Sequence, residues 1–168
     1  MRRLPIYFLV DVSESMVGTP IEQVQDGMAS IINELRKNHY CLEICFVSVI
    51  TYNSGAKTLS PLTPIFENCL PKISIGAKQE ESNESNLDNA LGTLANIIDK
   101  NMEKSTANKK GDWKPIVYIM TNGESHWEWS NGLTEYKSLQ LGQSIVCLTC
   151  NVIKQLTMKS CQMLQIVS

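Results

Sequence analysis

An aspartate and two serines stand at alternate positions where an apolar run ends. The segment FLVDVSESM (residues 8–16) places Asp11, Ser13 and Ser15 directly after side chains typical of a buried strand. Carboxylate and hydroxyl oxygens are the ligands that hard divalent cations such as Mg²⁺ and Mn²⁺ prefer, in octahedral geometry. Alternate positions in a tight loop can point three oxygens toward one ion, so the spacing favours a metal site. The alternative is that both serines only satisfy backbone groups of a turn.

Two further segments carry oxygen-bearing side chains at comparable positions. Ser85 precedes a helical pattern, and Thr121 and Asn122 follow another apolar run. Ligands bind beyond the carboxyl ends of parallel strands, so we expect these three loops to converge there. Simpler interpretations stay open for two of them. Ser85 could be only a helix N-cap with Asp88 at N3, and Asn122-Gly123 could be an ordinary type I′ turn.

The elements that must position these loops alternate between strand and helix. Continuous apolar runs predict buried parallel strands, and apolar residues at helical spacing predict helices. Predicted strands cover residues 4–10, 41–52, 56–59, 115–120, 144–150 and 163–167, and predicted helices follow Thr19, follow Ser85, and cover residues 133–140 and 152–161. This order predicts a single domain over residues 1–168. Its fold class is α/β: a doubly wound, Rossmann-like, mostly parallel sheet with helices on both faces.

Two local patterns add detail to this outline. The first helix is predicted to begin with Thr19 as its N-cap, Pro20 at N1 and Glu22 closing a capping box. The segment KSTANKKGD (residues 104–112) is predicted to be a solvated loop whose lysines have no special role.

Composition argues against several classes of function. A net charge of −2 gives no electrostatic reason to expect nucleic acid or an anionic membrane as a partner. No apolar run approaches the roughly 20 residues that span a bilayer, and the first residues lack the features of a signal peptide, so we expect a cytoplasmic protein. The six cysteines are then expected to be thiols. Cys147-x-x-Cys150 lies in a strand-like run without a matching ligand pair, which favours buried side chains over a zinc or redox site.

The chain resembles the von Willebrand factor type A domain family, whose members carry a metal-ion-dependent adhesion site. The segments that carry the resemblance are FLVDVSESMVGTPIEQVQDGM, VSVITYNSGAKTLSPLTPI, ESNLDNALGTL and IVYIMTNGES. Asp11-x-Ser13-x-Ser15 matches the DxSxS motif of that family. Ser85 stands where a threonine is usual, and Asn122 stands where an aspartate is usual. The resemblance is closest to small bacterial, cytoplasmic members associated with tellurite resistance.

The resemblance implies a protein-interaction module rather than an enzyme. It implies that Asp11, Ser13, Ser15, Ser85 and Asn122 surround Mg²⁺ or Mn²⁺, and that a partner protein fills the remaining position with a carboxylate. It also implies a bacterial stress or tellurite-resistance complex. The alternative is the same fold acting as a scaffold subunit without functional metal. A phosphatase of the haloacid-dehalogenase type is disfavoured, since it needs a second aspartate where Ser13 stands.

The asparagine in the third loop is a departure from the family pattern with consequences for charge. It leaves Asp11 as the only charged member of the set, so we expect weaker metal affinity. Glu84 or Glu124 could supply a replacement carboxylate. Deamidation of Asn122-Gly123 would also restore an aspartate.

Two other features bear on partners. Trp127 and Trp129, beside Glu124 in the third loop, either form a lid on the core or anchor a partner, since tryptophan is enriched at binding hot spots. Family members usually carry one more helix after the last strand, whereas this sequence stops at Ser168. We therefore expect self-association through an uncovered part of the sheet.

Overall fold

The fold is built around a parallel sheet with one antiparallel edge. The computed structural model describes residues 1–67, 70–73 and 86–122, together with the backbone of residues 145–149. The strands in this part of the chain are β1 (Leu4–Asp11), β2 (Cys45–Tyr52), β3 (Ala56–Pro64), β4 (Ile116–Thr121) and β5 (Ile145–Thr149). The helices are α1 (Thr19–Arg36), α2 (His39–Ile44) and α3 (Leu87–Asn101), and a 3₁₀ turn covers Glu14–Met16.

The strand order confirms the predicted doubly wound fold. Across the sheet the strands run β3-β2-β1-β4-β5. β1 pairs in parallel with both β2 and β4, and β4 pairs in parallel with β5, whereas β3 runs antiparallel to β2. The chain thus leaves β1 toward one side of the sheet and later returns on the other. Such a reversal opens a crevice at the carboxyl ends of β1 and β4.

The unbroken apolar run of β1 follows from coverage on both faces of the sheet. Every residue from Leu4 to Asp11 is buried. Alternate side chains such as Phe8 and Val10 pack in one core with α1 and α2, while Tyr7 and Leu9 pack with α3 in the other. A strand between two helical layers needs apolar side chains at both odd and even positions. Apolar and polar residues therefore do not alternate along β1.

The predicted strand over residues 41–52 is wrong in its first part. Residues 39–44 form α2, and the strand begins only at Cys45. The Asn38 side chain accepts a hydrogen bond from the Tyr40 amide and caps this helix. Cys41, Ile44 and Cys45 are all buried, at a spacing that suits a helix turned toward the core. The next strand, β3, extends to Pro64 rather than ending at residue 59.

The predicted capping box at Thr19 is also wrong. Thr19 is already helical, and Gly18 is the N-cap, with φ of 86° and no side-chain cap. A positive φ favours glycine, and it lets the chain turn directly from the 3₁₀ turn into α1. At α3 the N-cap is Asn86, whose side chain accepts a hydrogen bond from the Asn89 amide, and not Ser85.

Some of the remaining sequence predictions fall on described residues, and others fall outside them. Cys41 and Cys45 are free, buried thiols, as expected, and burial together with the neighbouring Cys41 raises the pKa of Cys45 to about 12. The predicted elements at residues 133–140, 152–161 and 163–167 lie outside the described residues, as does the sheet region proposed for self-association. Within the described part of the chain, no helix has the length and apolarity to cross a membrane.

Candidate metal centre

The predicted metal loop lies at the carboxyl end of the central strand. Asp11 is the last residue of β1 and is 1% exposed. Its backbone pairs with Tyr52 of β2, and the Val12 amide donates to the Tyr52 carbonyl at 2.8 Å. The start of the loop is therefore fixed by the sheet itself. We call residues 11–16 the metal loop.

Local hydrogen bonds turn this loop back on itself. The Ser13 amide donates to Asp11 Oδ1 at 2.9 Å, which closes a turn around the carboxylate. The Met16 amide then donates to the Ser13 carbonyl at 3.0 Å in the 3₁₀ turn. Met16 is fully buried and anchors the far end of the loop in the core. The Ser13 and Ser15 hydroxyls consequently lie side by side, with Oγ to Oγ at 3.1 Å.

Two side chains from the end of β4 reach across to the metal loop. Thr121 Oγ1 donates to Asp11 Oδ2 at 3.2 Å, and both residues are 1% exposed. Asn122 Nδ2 donates to the Ser15 carbonyl at 3.1 Å. β1 and β4 are adjacent parallel strands, so residues more than 100 positions apart meet at the switch point of the sheet. The predicted convergence of the first and third loops is thus observed.

The donor set fits a hard divalent cation. At metal–oxygen distances of about 2.1 Å, adjacent oxygens of an octahedron lie about 3.0 Å apart, close to the 3.1 Å between the two serine hydroxyls. The side chains that converge are one carboxylate (Asp11), three hydroxyls (Ser13, Ser15 and Thr121) and one amide (Asn122). The described residues contain no cluster of three or more His, Cys, Asp or Glu side chains that could hold a metal ion. Any ion here would therefore depend on neutral oxygens for most of its protein ligands.

The other predicted site residues lie outside the described part of the chain. This applies to Ser85 and to the proposed partner contacts Glu124, Trp127 and Trp129. The residue after Ser85 is described: the Asn86 amide donates to the carbonyl of Asn53, directly after β2, at 2.8 Å. The start of α3 is thereby attached to the same end of the sheet as Asp11.

Thr121 has a role that the sequence reasoning missed. The sequence pattern places it after an apolar strand but gives its hydroxyl no part in the site. The structure shows that it orients the Asp11 carboxylate from the neighbouring strand. A signal existed: Thr121 is the last residue of a strand that ends beside a candidate ligand, where a polar side chain on a buried element needs a partner.

The match to a known family decides the identity of the fold. The von Willebrand factor type A domain matches residues 6–124. The chain belongs to the von Willebrand factor type A domain family. The match covers the metal loop and the end of β4, and so includes Asp11, Ser13, Ser15 and Asn122.

Relatives support this assignment at low sequence identity. Inter-alpha-trypsin inhibitor heavy chain H3 of Bos taurus is 25% identical over 121 residues, which are 72% of this chain but 13% of that protein. An aerotolerance-related membrane protein from Bacteroides fragilis shares the fold with a TM-score of 0.54 at 16% identity, over 86% of this chain and 65% of that one. Proximal thread matrix protein 1 from the mussel byssus, with a zinc-occupied adhesion motif, has a TM-score of 0.53 at 18% identity, over 94% and 47%.

Proposed function

We propose that this domain is a metal-dependent protein-interaction module whose cation binds an acidic side chain of a partner protein. The observation that carries the proposal is the convergence of the Ser13 and Ser15 hydroxyls, 3.1 Å apart, beside the buried Asp11 carboxylate. A buried carboxylate beside two clustered hydroxyls suits a divalent cation because all of the available ligand atoms are hard oxygen donors. Membership of an interaction-domain family supports the same function.

Each residue has a distinct part in this proposal. Ser13 and Ser15 would bind Mg²⁺ or Mn²⁺ through their hydroxyls, and Ser85 would join them from the second loop. Asp11, the buried anion, would favour a cation, and Asn122 would contribute its amide oxygen directly or through water. When bound, the cation would supply a Lewis-acidic centre with a position open to an outside carboxylate. Ser15 is exposed, so a partner can approach from that side.

The partner-contact and cellular parts of the proposal go beyond the site. We propose Glu124, Trp127 and Trp129 as partner contacts; loss of partner binding without loss of melting temperature in alanine variants supports this for the tryptophans. We also propose a cytoplasmic setting in a bacterial stress or tellurite-resistance complex. Co-purification from a bacterial host with and without chelator tests that setting.

Calorimetric titration of the chelator-treated domain with Mg²⁺ and Mn²⁺ tests the metal site. We expect saturable one-site binding, and stabilisation that rises with cation concentration as mass action requires. Asp11→Asn keeps the shape of the side chain but removes its charge, and should raise the Kd by more than about tenfold, because charge pairs at short range exceed 1.4 kcal/mol.

A matched pair of serine variants provides the control. Ser13→Ala and Ser48→Ala each remove one buried hydroxyl, but the Ser48 hydroxyl donates to the Ser60 carbonyl at 2.8 Å, within the β2–β3 pair. Only Ser13→Ala should raise the Kd. Equal Kd values for Ser13→Ala, Asp11→Asn and the unmodified chain would rule out this metal site.

A scaffold subunit without functional metal is the second candidate. It is favoured by the Asn122 amide, which joins the two loops through a neutral hydrogen bond and adds no negative charge. In that case the titrations would show no saturable binding of either cation, while partner binding would persist in chelator.

A further inference from the structure

The Asn122 side chain forms a bond that a carboxylate in its place could not form. Its Nδ2 donates to the Ser15 carbonyl oxygen at 3.1 Å. An aspartate has no hydrogen to donate when ionised, and its oxygen would face the carbonyl oxygen instead. Asparagine at this position therefore attaches the metal loop to the end of β4 without help from a cation.

The bond acts on an exposed part of the metal loop, between the two residues that anchor the loop. Asp11 is fixed by the sheet, and Met16 is fully buried. Ser15 lies between these anchors and is exposed. Its hydroxyl must nevertheless stay next to that of Ser13 for both to serve one ion. A hydrogen bond to the Ser15 backbone restrains this residue directly.

We propose that Asn122 is a positioning residue, whose amide holds Ser15 in its ligand arrangement before a cation binds. The site is then assembled in advance, and it has one negative charge fewer than it would with an aspartate. The link between the Ser15 arrangement and cation binding rests on the proposed function. The fastening of the loop by the amide does not.

Amide hydrogen exchange in the cation-free protein tests whether the Asn122 side chain restrains the metal loop. The reporters are the amides of Met16 and Val17, which donate to Ser13 and Glu14 across the 3₁₀ turn. Asn122→Ala and Asn122→Asp should each speed their exchange by about fivefold, the effect of losing one hydrogen bond. Exchange within α3 should change less, because the whole domain is not being unfolded.

Asn89→Ala is the matched control for Asn122→Ala. The Asn89 Nδ2 also donates to a serine carbonyl, that of Ser54, at 3.2 Å and near the surface. It joins α3 to the β2–β3 turn rather than to the metal loop. Both alanine variants should lower the melting temperature by about 2 °C, but only Asn122→Ala should speed exchange at Met16 and Val17.

Titration with Mg²⁺ then measures how much the hydrogen bond from Asn122 to Ser15 contributes to cation affinity. Asn122→Ala should raise the Kd by at least about fivefold, because it removes both the restraint on the assembled loop and the amide oxygen proposed for the cation. Asn122→Asp should lower the Kd by about tenfold, since a second carboxylate attracts the ion, and saturating Mg²⁺ should restore slow exchange at Met16.

The results separate this inference from the proposed function. If exchange at Met16 and Val17 is the same in Asn122→Ala as in Asn89→Ala, the positioning role is wrong. If Asn122→Asp in chelator keeps the slow exchange of the unmodified protein, it is wrong as well. If exchange changes as expected but no variant binds Mg²⁺ or Mn²⁺, the fastening stands and the metal-dependent function fails.

Discussion

The two ends of the sheet hold their polar groups in opposite ways. At the amino end, charged side chains satisfy one another within the chain: Arg3 donates to both oxygens of Asp112, at 3.0 and 2.6 Å. At the carboxyl end, the Asp11 carboxylate receives bonds from neutral donors, the Ser13 amide and the Thr121 hydroxyl. Among the described residues, the amino end has an internal ion pair, and the carboxyl end has oxygens gathered around the Asp11 carboxylate.

The amino end fastens the long connection after α3 to the start of β1. The Arg2 guanidinium lies 3.8 Å from the centre of the Trp113 ring and donates through Nε to the Gly111 carbonyl at 2.8 Å. The Trp113 amide donates to the Arg3 carbonyl at 2.8 Å. These contacts join segments about 110 residues apart, and they orient β4 beside β1.

This contrast separates stability from binding. Charges that are paired inside the chain stabilise the fold and have little remaining attraction for an outside ligand. Oxygens held by neutral donors keep their affinity for a cation. Substitutions at the amino end should therefore lower the free energy of unfolding without changing cation affinity, whereas substitutions at the carboxyl end should change affinity.

Gly111→Ala should produce the largest effect on stability. A Cβ at this position would lie 2.4 Å from the Glu103 carbonyl oxygen and 2.6 Å from the Ser105 nitrogen, both backbone atoms that cannot rotate away. We expect a loss of about 3 kcal/mol in the free energy of unfolding, measured by urea denaturation. The Mg²⁺ Kd of the folded fraction should not change.

Gly55→Ala is the control for this prediction, because a Cβ there meets nothing within 4 Å. It should change stability by less than about 0.5 kcal/mol. Similar losses for the two alanine variants would show that close backbone packing around Gly111 is not what limits stability at the amino end.

Asp112→Asn should produce an intermediate loss, with a characteristic pH dependence. Burial alone would raise the pKa of Asp112, but hydrogen bonds from Arg3 and the Glu103 amide outweigh it and hold that pKa below its ordinary value. A lowered pKa in the folded state stabilises the fold at neutral pH, and this contribution disappears as pH falls through the folded value. The variant should lose about 2 kcal/mol at pH 7 and show a flatter decline below about pH 4.

Asp99→Asn is the control for the predicted loss of stability and its pH dependence. The Asp99 carboxylate pairs with Lys104 at 2.9 Å, but the side chains are 46% and 75% exposed to water, respectively. Solvent weakens such a pair, so the expected loss is less than about 0.5 kcal/mol. An equal loss in both variants would mean that burial of Asp112 adds nothing to the ion pair.

The sequence predicted that the first and third loops meet at the carboxyl end, but it predicted none of the contacts at the amino end. Apolar strands that end in Asp11 and in Thr121-Asn122 are local signals, and parallel pairing then brings the loops together. The Arg3–Asp112 pair has no local signal, because it depends on which distant segments meet. Residues 104–112 were therefore predicted to be merely a solvated loop, whereas the Asp112 carboxylate is almost completely buried.

Local conformation set a second limit on prediction. The helix α2 was predicted as strand because Cys41 and Ile44 belong to one apolar run with β2, and a short apolar run fits either structure. The positive φ of Gly18 moved the start of α1 by one residue. Both errors concern which of two allowed backbone conformations the packing selects, which the pattern of apolar residues does not specify.

Thr121→Val should lower stability less than Gly111→Ala or Asp112→Asn, but unlike them it should also change cation binding. Valine keeps the shape of the side chain and suits a strand, but it removes the donor to Asp11 Oδ2. The expected loss of about 1 kcal/mol should come with a rise in the Mg²⁺ Kd of up to about fivefold, because the carboxylate is less well oriented. Urea denaturation in chelator and calorimetric titration measure the two quantities separately.

Thr51→Val is the matched variant, since the Thr51 hydroxyl donates to the Lys57 carbonyl at 3.4 Å in a more exposed position. It should leave both quantities nearly unchanged. If Thr121→Val lowered stability but left the Kd at its original value, the Asp11 carboxylate would be oriented for an ion without the neighbouring strand. Cation affinity at the carboxyl end would then depend on the metal loop alone. The two ends of the sheet would differ in the charge of their polar groups, and not in whether a neighbouring strand donates hydrogen bonds to them.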